Sequence, residues 1–454
     1  MTRAIVKGFK KLIIVPRDPA SFTRSSPAYN PEDGSQVAVN EPRYVEGPWA
    51  GSKALLVEEG TTNLFKNASF EVYTGMTGVA DGWASAVSSG TATFSVVTSP
   101  IRPSGSKAQK VSNSGMASAG HITDVHQDIT GLYGGQPYSL SGYFNVESLN
   151  NAYVQIYVDF RDAASAWLGG NSRGHYSTTA GFIRLCISGT TPAGTARCQA
   201  HAILRATAAG GSGTFYVDDM QYEVKPHPTS IILANDTTTQ ATRSPETLTI
   251  PTAGVLNPQE GTVEVTVIPN LSSSATPSSV LGFHDLVWMT TDASKGFIVR
   301  RKQGGIEMLS RRSAGHQNGF YPVTWNVGDK LSIAVKWDSA KLYLLVNGQL
   351  AITLDKFDDP GSVQLYIGSR ADAPPQGNAL YADLRISSRA RTDAEILAAY
   401  QSGQPLPVDE WTTLKVPFDA SLAGYGPGYV YVPSNKTRVV GGPRRTKAVL
   451  LSRS

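Results

Sequence analysis

The sequence predicts an all-β protein built as two tandem antiparallel β-sandwich (jelly-roll) domains, with irregular N- and C-terminal docking segments. Three observations predict this. Short runs that alternate apolar and polar residues recur through the middle of the chain, the period-2 signature of half-buried strands. Gly (44) and Pro (27) punctuate them together with Ser and Thr. Only 17% of residues are charged while 41% are hydrophobic, and 7 Trp, 19 Tyr and 14 Phe are spread along the chain, which excludes a long coiled coil and general disorder. At 454 residues the chain is long enough for about three domains of roughly 150 residues.

Residues 1–60 read as an extended, proline-punctuated anchoring lead that lies along a neighbouring domain or subunit. Residues 61–226 hold the runs TATFSVVT, AQKVSNS, YSLSGYFNV, AYVQIYVDF, FIRLCIS, AHAILRA and TFYVDDMQYEV, enough strands for one sandwich. Residues 227–246 read as a linker. Residues 247–405 hold a second set, from GTVEVTVIP to ALYADLRIS. There Asn347-Gly348 separates KLYLLV from QLAITL and predicts a two-residue type I′ hairpin, since both residues tolerate positive φ. One helix is expected in TDAEILAAYQSG, with Thr392 as cap, Glu395 completing a capping box and Gly403 as stop. Residues 406–454 form a Gly/Tyr-rich basic end. The two strand sets differ in text, and no fixed-period repeat is present.

The net charge of +4 is unevenly placed. Residues 1–17 carry five cations (Arg3, Lys7, Lys10, Lys11, Arg17) and no acid, and residues 436–454 carry six (Lys436, Arg438, Arg444, Arg445, Lys447, Arg453) and no acid. Basic ends on an acidic middle point to docking segments. No recognition-helix pattern or aromatic-basic platform accompanies them, so nucleic acid is not an expected partner. No apolar run has the 18 residues of a membrane span, and Leu12–Val15 is too short for a signal-peptide core, so neither a membrane partner nor Sec export is expected. Cys186 and Cys198 are too few for a disulfide scaffold; they either face each other across one hairpin or stay reduced, and reduced thiols are favoured.

Enzyme signatures are weak, and the chain is read as not an enzyme. The G-x-S-x-G match Gly170-Asn171-Ser172-Arg173-Gly174 lacks the helix that a hydrolase elbow needs after its serine. Glu264 stands alone in GTVEVTV, whereas glycosidases use two facing carboxylates. The seven histidines show no H-E-x-x-H or other close ligand spacing, which argues against a catalytic metal.

Three stretches carry a resemblance. Phe22-Thr23-Arg24, Asp33-Gly34, Asn40-Glu41-Pro42-Arg43 and Lys53 to Leu64 resemble the lead that precedes lectin-like modules in bacteriophage and prophage structural proteins. Asn67-Ala68-Ser69-Phe70-Glu71, Asp81-Gly82-Trp83, Ser104 to Lys107 and Phe215 to Met220 resemble a carbohydrate-binding-module jelly roll. Residues 260–403 resemble a laminin-G or concanavalin-A-like sandwich. The resemblance implies a virion component made in the host cytoplasm. It also implies a structural calcium ion held by Glu71 and Asp218 or Asp219, with carbonyls near Asn67 and Lys107, and a core Trp83.

Sugar contact needs exposed aromatic faces flanked by polar groups. Tyr153, Tyr157, Trp167 and Tyr176 supply the faces, with Asp159, Arg161 and Asn171 nearby. Tyr153, Tyr157 and Asp159 share one face of their strand, and the competing reading puts that face in the core. Trp288, Trp325 and Trp337 are expected as packing residues. The expected function is a non-enzymatic tail, baseplate or fibre protein that presents lectin-like domains to host glycan. A capsid decoration or head fibre, and a polysaccharide depolymerase, are the alternatives. Expected partners are other virion proteins, through residues 1–60 and 406–454, and host glycan; a homotrimer is the expected assembly.

Overall fold

The computed structural model describes residues 8–17, 20–276, 284–290, 295–361, 363–370 and 376–433, with side chains between residues 20 and 424. Of the basic ends, Arg3, Lys7 and all six cations of 436–454 lie outside the described residues. Among the described residues the regular structure is antiparallel β apart from one helix, and the chain forms two compact units. Among the described residues no helix is long and apolar enough to cross a membrane.

The first unit comprises residues 24–43 and 60–245. It is a sandwich of two five-stranded sheets. One runs in the order Ile183–Thr190, Pro137–Asn150, Gly211–Glu223, Ala108–Met116 and Thr91–Val97. The other runs Trp167–His175, Ala152–Arg161, Arg197–Ala206, Ile122–Thr130 and Ala84–Val87. Alternation explains the layering: Val154, Ile156, Val158 and Phe160 fill the core from one strand, and Cys198, Ala200, Ala202 and Leu204 from its neighbour. Trp83 is buried between Phe65 (5.1 Å) and Phe70 (4.7 Å), its indole Nε1–H donating to the Asn67 carbonyl at 2.9 Å. Cys186 and Cys198 are free and stand on strands of different sheets, so no single hairpin brings them together. Burial pushes the Cys198 thiol up.

The stretch 227–246 is not a linker. Ile231, Ile232 and Ala234 are buried, and Ala241–Arg243 pairs with Thr61–Asn63. The segment is held by side chains more than by a ladder: Asn63 donates to the Met220 and Ile232 carbonyls, and Gln221 accepts from the Ile232 amide.

The second unit comprises residues 1–23, 44–59 and 246–454, of which the described ones form a larger sandwich. Its seven-stranded sheet runs Ser21–Thr23, Thr247–Pro251, Gln364–Ile367, His284–Thr290, Gly296–Lys302, Gly305–Arg311 and Gln317–Pro322. A ten-stranded sheet faces it and includes Ala379–Ser387, Gly261–Pro269, Leu331–Trp337, Lys341–Val346 and Gln349–Asp355. Asn347 (φ 51°) and Gly348 (φ 77°) make the expected tight hairpin, closing at Val346 and Gln349. The helix Asp393–Gln401 carries the expected capping box between Thr392 and Glu395. Trp337 and Trp325 are buried, their indole N–H groups donating to the Asn257 and Leu271 carbonyls, and Trp288 is also buried.

The lead is extended, and the chain's own sandwiches take it up. Ser21–Thr23 and Lys53–Val57 add strands to the two sheets of the second unit. Residues 24–43 join the first unit instead. Gly8–Arg17 pairs along its whole length with Gly424–Pro433, and Thr412–Val416 extends the same sheet. Domain bounds set by strand density alone therefore differ from those set by contacts.

Candidate functional site

The sheet from Trp167–His175 to Ala84–Val87 turns one face to the core and one away from it. In register across the outward face stand Tyr153 with Arg205, Gln155 with Ile203 and Asp124, Tyr157 with His201 and His126, and Asp159 with Gln199 and Asp128. The face that carries Tyr153, Tyr157 and Asp159 is thus not the core face. Its middle is shielded from solvent, with Asp124 1%, Ile203 1% and His201 7% exposed. Its ends are open: Tyr176 is 69% and Trp167 64% exposed.

The tyrosines form a platform. The Tyr153 and Tyr176 rings stack with centroids 4.5 Å apart and planes 19° from parallel. Two glycines of the edge strand make room for them. A Cβ at Gly170 would lie 2.7 Å from the Tyr157 hydroxyl, and one at Gly174 would lie 3.0 Å from the rings of both Tyr153 and Tyr176. These are the two glycines of the discounted G-x-S-x-G match. The segment is a strand and no helix follows it, so it is not a nucleophile elbow.

Polar groups surround the rings. Arg161 donates to Asp159 at 2.7 Å, Arg205 to Gln155 at 3.0 Å, and Arg197 reaches Asp128 at 3.4 Å. Asp124 binds two imidazoles, His126 Nδ1 at 2.9 Å and His201 Nδ1 at 3.1 Å. Burial pushes the Asp124 carboxyl up, but the hydrogen bonds from His126 and His201 outweigh it and hold the group below its ordinary value. The hydrogen bond to Asp124 in turn raises His126 against its own burial.

Of the residues expected to touch sugar, the structure brings Tyr153, Tyr157, Tyr176, Asp159 and Arg161 onto one face, with Trp167 opposite Arg161 in register. Asn171 departs: it pairs with core-facing Val158 and donates to the Tyr138 hydroxyl, which places it on the inner side of the sheet. Sequence reading missed Gln155, Arg205 and the trio Asp124, His126 and His201. The spacing Asp124-x-His126 was visible on one strand; His201 enters only through cross-strand register.

The residues expected to hold calcium are placed otherwise. Glu71 accepts from the Ser106 and Lys107 amides and the Ser106 hydroxyl, while the Lys107 ammonium donates to the Glu71 carbonyl at 2.7 Å. Asp219 accepts from Arg102 Nε at 2.8 Å and from Ser104. Asp218 is buried beside it, and that burial together with the Asp219 charge pushes its carboxyl well up. The Asn67 carbonyl is taken by Trp83 and Phe70. Asp219 Oδ1 has no hydrogen-bond partner, yet two protein cations, Arg102 and Lys107, already stand at the two halves of the set. As placed, Glu71 and Asp219 are engaged by protein donors, whereas a calcium ion takes six to eight oxygen ligands.

The second sandwich offers a different surface. An open polar cleft of about 580 Å³ is lined by Lys295, Arg312, Asp355, Lys356 and Asp358 among others. Asp355 there is engaged by Arg312, Lys341 and Gln317. Glu264 is buried and grips Arg385 through both oxygens at 2.7 and 2.8 Å, with Arg391 at 3.6 Å, so its role is a structural ion cluster.

No family model and no curated protein sequence matches the chain. Solved structures with β-sandwich folds do. The enzymatically active domain of bacteriophage CBA120 tailspike protein 4 is 16% identical over 35% of this chain and 21% of its own length, with a TM-score of 0.27. The module TmCBM61, solved with β-1,4-galactotriose, is 17% identical over 35% of this chain and 97% of its own (TM-score 0.23). The CBM22-1 xylan-binding domain from Paenibacillus barcinonensis Xyn10C is 15% identical over 37% and 96% (TM-score 0.25). The chain thus spans about a fifth of the tailspike domain and nearly the whole of each module.

Proposed function

We propose that the protein is a non-enzymatic glycan-contact component of a phage particle, a tail, baseplate or fibre protein, and that sugar lies on the outward face of the first sandwich. One observation carries the sugar reading: three tyrosines gathered on a non-core face, with glycines at 170 and 174 leaving their rings room. The flat apolar faces of pyranose rings stack on such aromatics, while Gln155, Arg205, Asp159 and Arg161 supply hydrogen bonds for hydroxyls. A single shallow site of this kind is weak, and many copies on a particle compensate. The motifs of the lead support the virion assignment, as they resemble those that precede lectin-like modules in phage structural proteins.

The test is binding of fluorescent full-length protein to host cells and isolated surface polysaccharide. Saturable binding is expected, weakened about tenfold or more in Tyr176→Ala and Tyr153→Ala, the loss of roughly 1–2 kcal/mol of stacking. Unchanged binding in the double variant overturns the platform. Release of new reducing ends from the polysaccharide overturns the non-enzymatic reading. Antibody labelling of purified particles tests the virion assignment: unlabelled particles overturn it.

A further inference from the structure

We propose that Asp124, His126 and His201 form a binding site for a divalent transition-metal ion of borderline softness, zinc above all, on the outward face of the first sandwich. The three converge by strand geometry. Asp124 and His126 are two residues apart in Ile122–Thr130 and so share a face, and His201 in Arg197–Ala206 is the direct cross-strand partner of His126.

The donor atoms fit a shared ion. One ligand atom from each residue lies within 4.8 Å of the other two, and each Nδ1 is 2.9 or 3.1 Å from an Asp124 oxygen. Ligands about 2.1 Å from one ion at octahedral or tetrahedral angles lie roughly 3.0–3.4 Å apart. An ion seated there takes the two Nδ1 lone pairs, each neutral imidazole then carrying its proton on Nε2. His201 is nine-tenths buried, its Nε2 has no hydrogen-bond partner, and Asp124 is the polar group that fixes it. Asp128 and Asp159 add negative potential at His126, although each also has an arginine partner.

Two imidazoles and one carboxylate select the ion by chemistry. Nitrogen donors suit zinc, nickel, cobalt and copper, whereas calcium and magnesium take oxygen shells. Three protein donors leave a coordination position for water or an outside ligand. The site does not rest on the glycan reading, since either can hold without the other.

The test is isothermal titration of chelator-stripped full-length protein with Zn²⁺, Ni²⁺ and Ca²⁺. One Zn²⁺ or Ni²⁺ per chain is expected, and no heat of binding for Ca²⁺. His126→Ala, His201→Ala and the isosteric Asp124→Asn should each weaken Zn²⁺ at least tenfold, while His175→Ala, away from the trio, leaves it unchanged. Should the variants fold poorly, the wild-type protein still decides: Zn²⁺ should protect His126, the more exposed of the two histidines, from diethyl pyrocarbonate. No saturable Zn²⁺ binding, binding that survives all three substitutions, or equal modification of His126 with and without Zn²⁺ overturns the site and leaves the trio a hydrogen-bonded brace.

Discussion

The first sandwich carries Tyr153, Tyr157 and Tyr176 on the face turned from its core, whereas the second buries Trp288, Trp325 and Trp337. Both use aromatic residues on strands of ordinary alternation. The difference lies in the neighbours. Beside Tyr153 and Tyr157 runs an edge strand with glycines at 170 and 174, so the rings find space on the outer face. In the second sandwich Trp337 packs with Phe297 and Phe357 at centroid distances of 5.8 and 5.7 Å, and polar faces are closed by ion pairs. Glycines give the outer tyrosines of one sandwich their room, while phenylalanines enclose Trp337 in the core of the other.

The largest effect should come from breaking the second sandwich's ion cluster. Arg385→Ala removes both hydrogen bonds that Arg385 makes to buried Glu264 and leaves it Arg391 at 3.6 Å and the charge of Lys415; breaking such a buried pair costs about 3–5 kcal/mol. Denaturant melts should show that loss while glycan binding by the first sandwich persists; loss of binding would mean the two are not separable. Next, Gly174→Val should crowd both rings of the stacked pair. A cost of about 1–3 kcal/mol is expected in the first sandwich, with weakened polysaccharide binding, and an unaffected affinity would remove the glycine from the platform.

Acid should act more gently and on the second sandwich. The hydrogen bond from Arg389 holds Glu395 down at about 2, and Arg391 holds Asp409 at about 2 against its burial. A carboxyl lowered in the folded state contributes stability above its unfolded pKa, near 4, and loses it as pH falls toward 2. Protection factors of the Thr412–Val416 amides, corrected for the intrinsic exchange rate at each pH, should therefore fall between pH 4.5 and 2, and Glu395→Gln with Asp409→Asn should flatten that dependence. In the first sandwich burial raises Asp218 and Glu223, which reverses the sign for those two groups. The smallest effect expected is none: calcium and chelator should give the same melting temperature, since Glu71 and Asp219 are already engaged by protein donors. A rise with calcium would show that these donors move aside.

Local chemistry made much of the fold legible. The Asn347-Gly348 turn and the Thr392–Glu395 box are set by residues within a few positions of each other, and period-2 text marked strands such as Ala152–Arg161. Trp167–His175 escaped because its glycines and polar residues break alternation, although those glycines shape the platform. The stretch 227–246 reads as a linker in sequence because Asn63 and Gln221 hold it with side chains, which leave no periodic trace. Tyr153, Tyr157 and Asp159 were readable from one strand alone. Asp124, His126 and His201 were not, because pairing of His126 with His201 spans 75 positions and depends on register.

The threading of the lead has a consequence for synthesis. Phe22 meets its partner Leu248 only after roughly 220 further residues have been made, and at about 5–20 residues per second that takes some 10–40 s. Leu56 waits longer, for Leu380. The first sandwich can close on the ribosome while these early strands stay unpaired. Their short lengths, three and five residues, suit that interval, because they make poor templates for strands of another nascent chain.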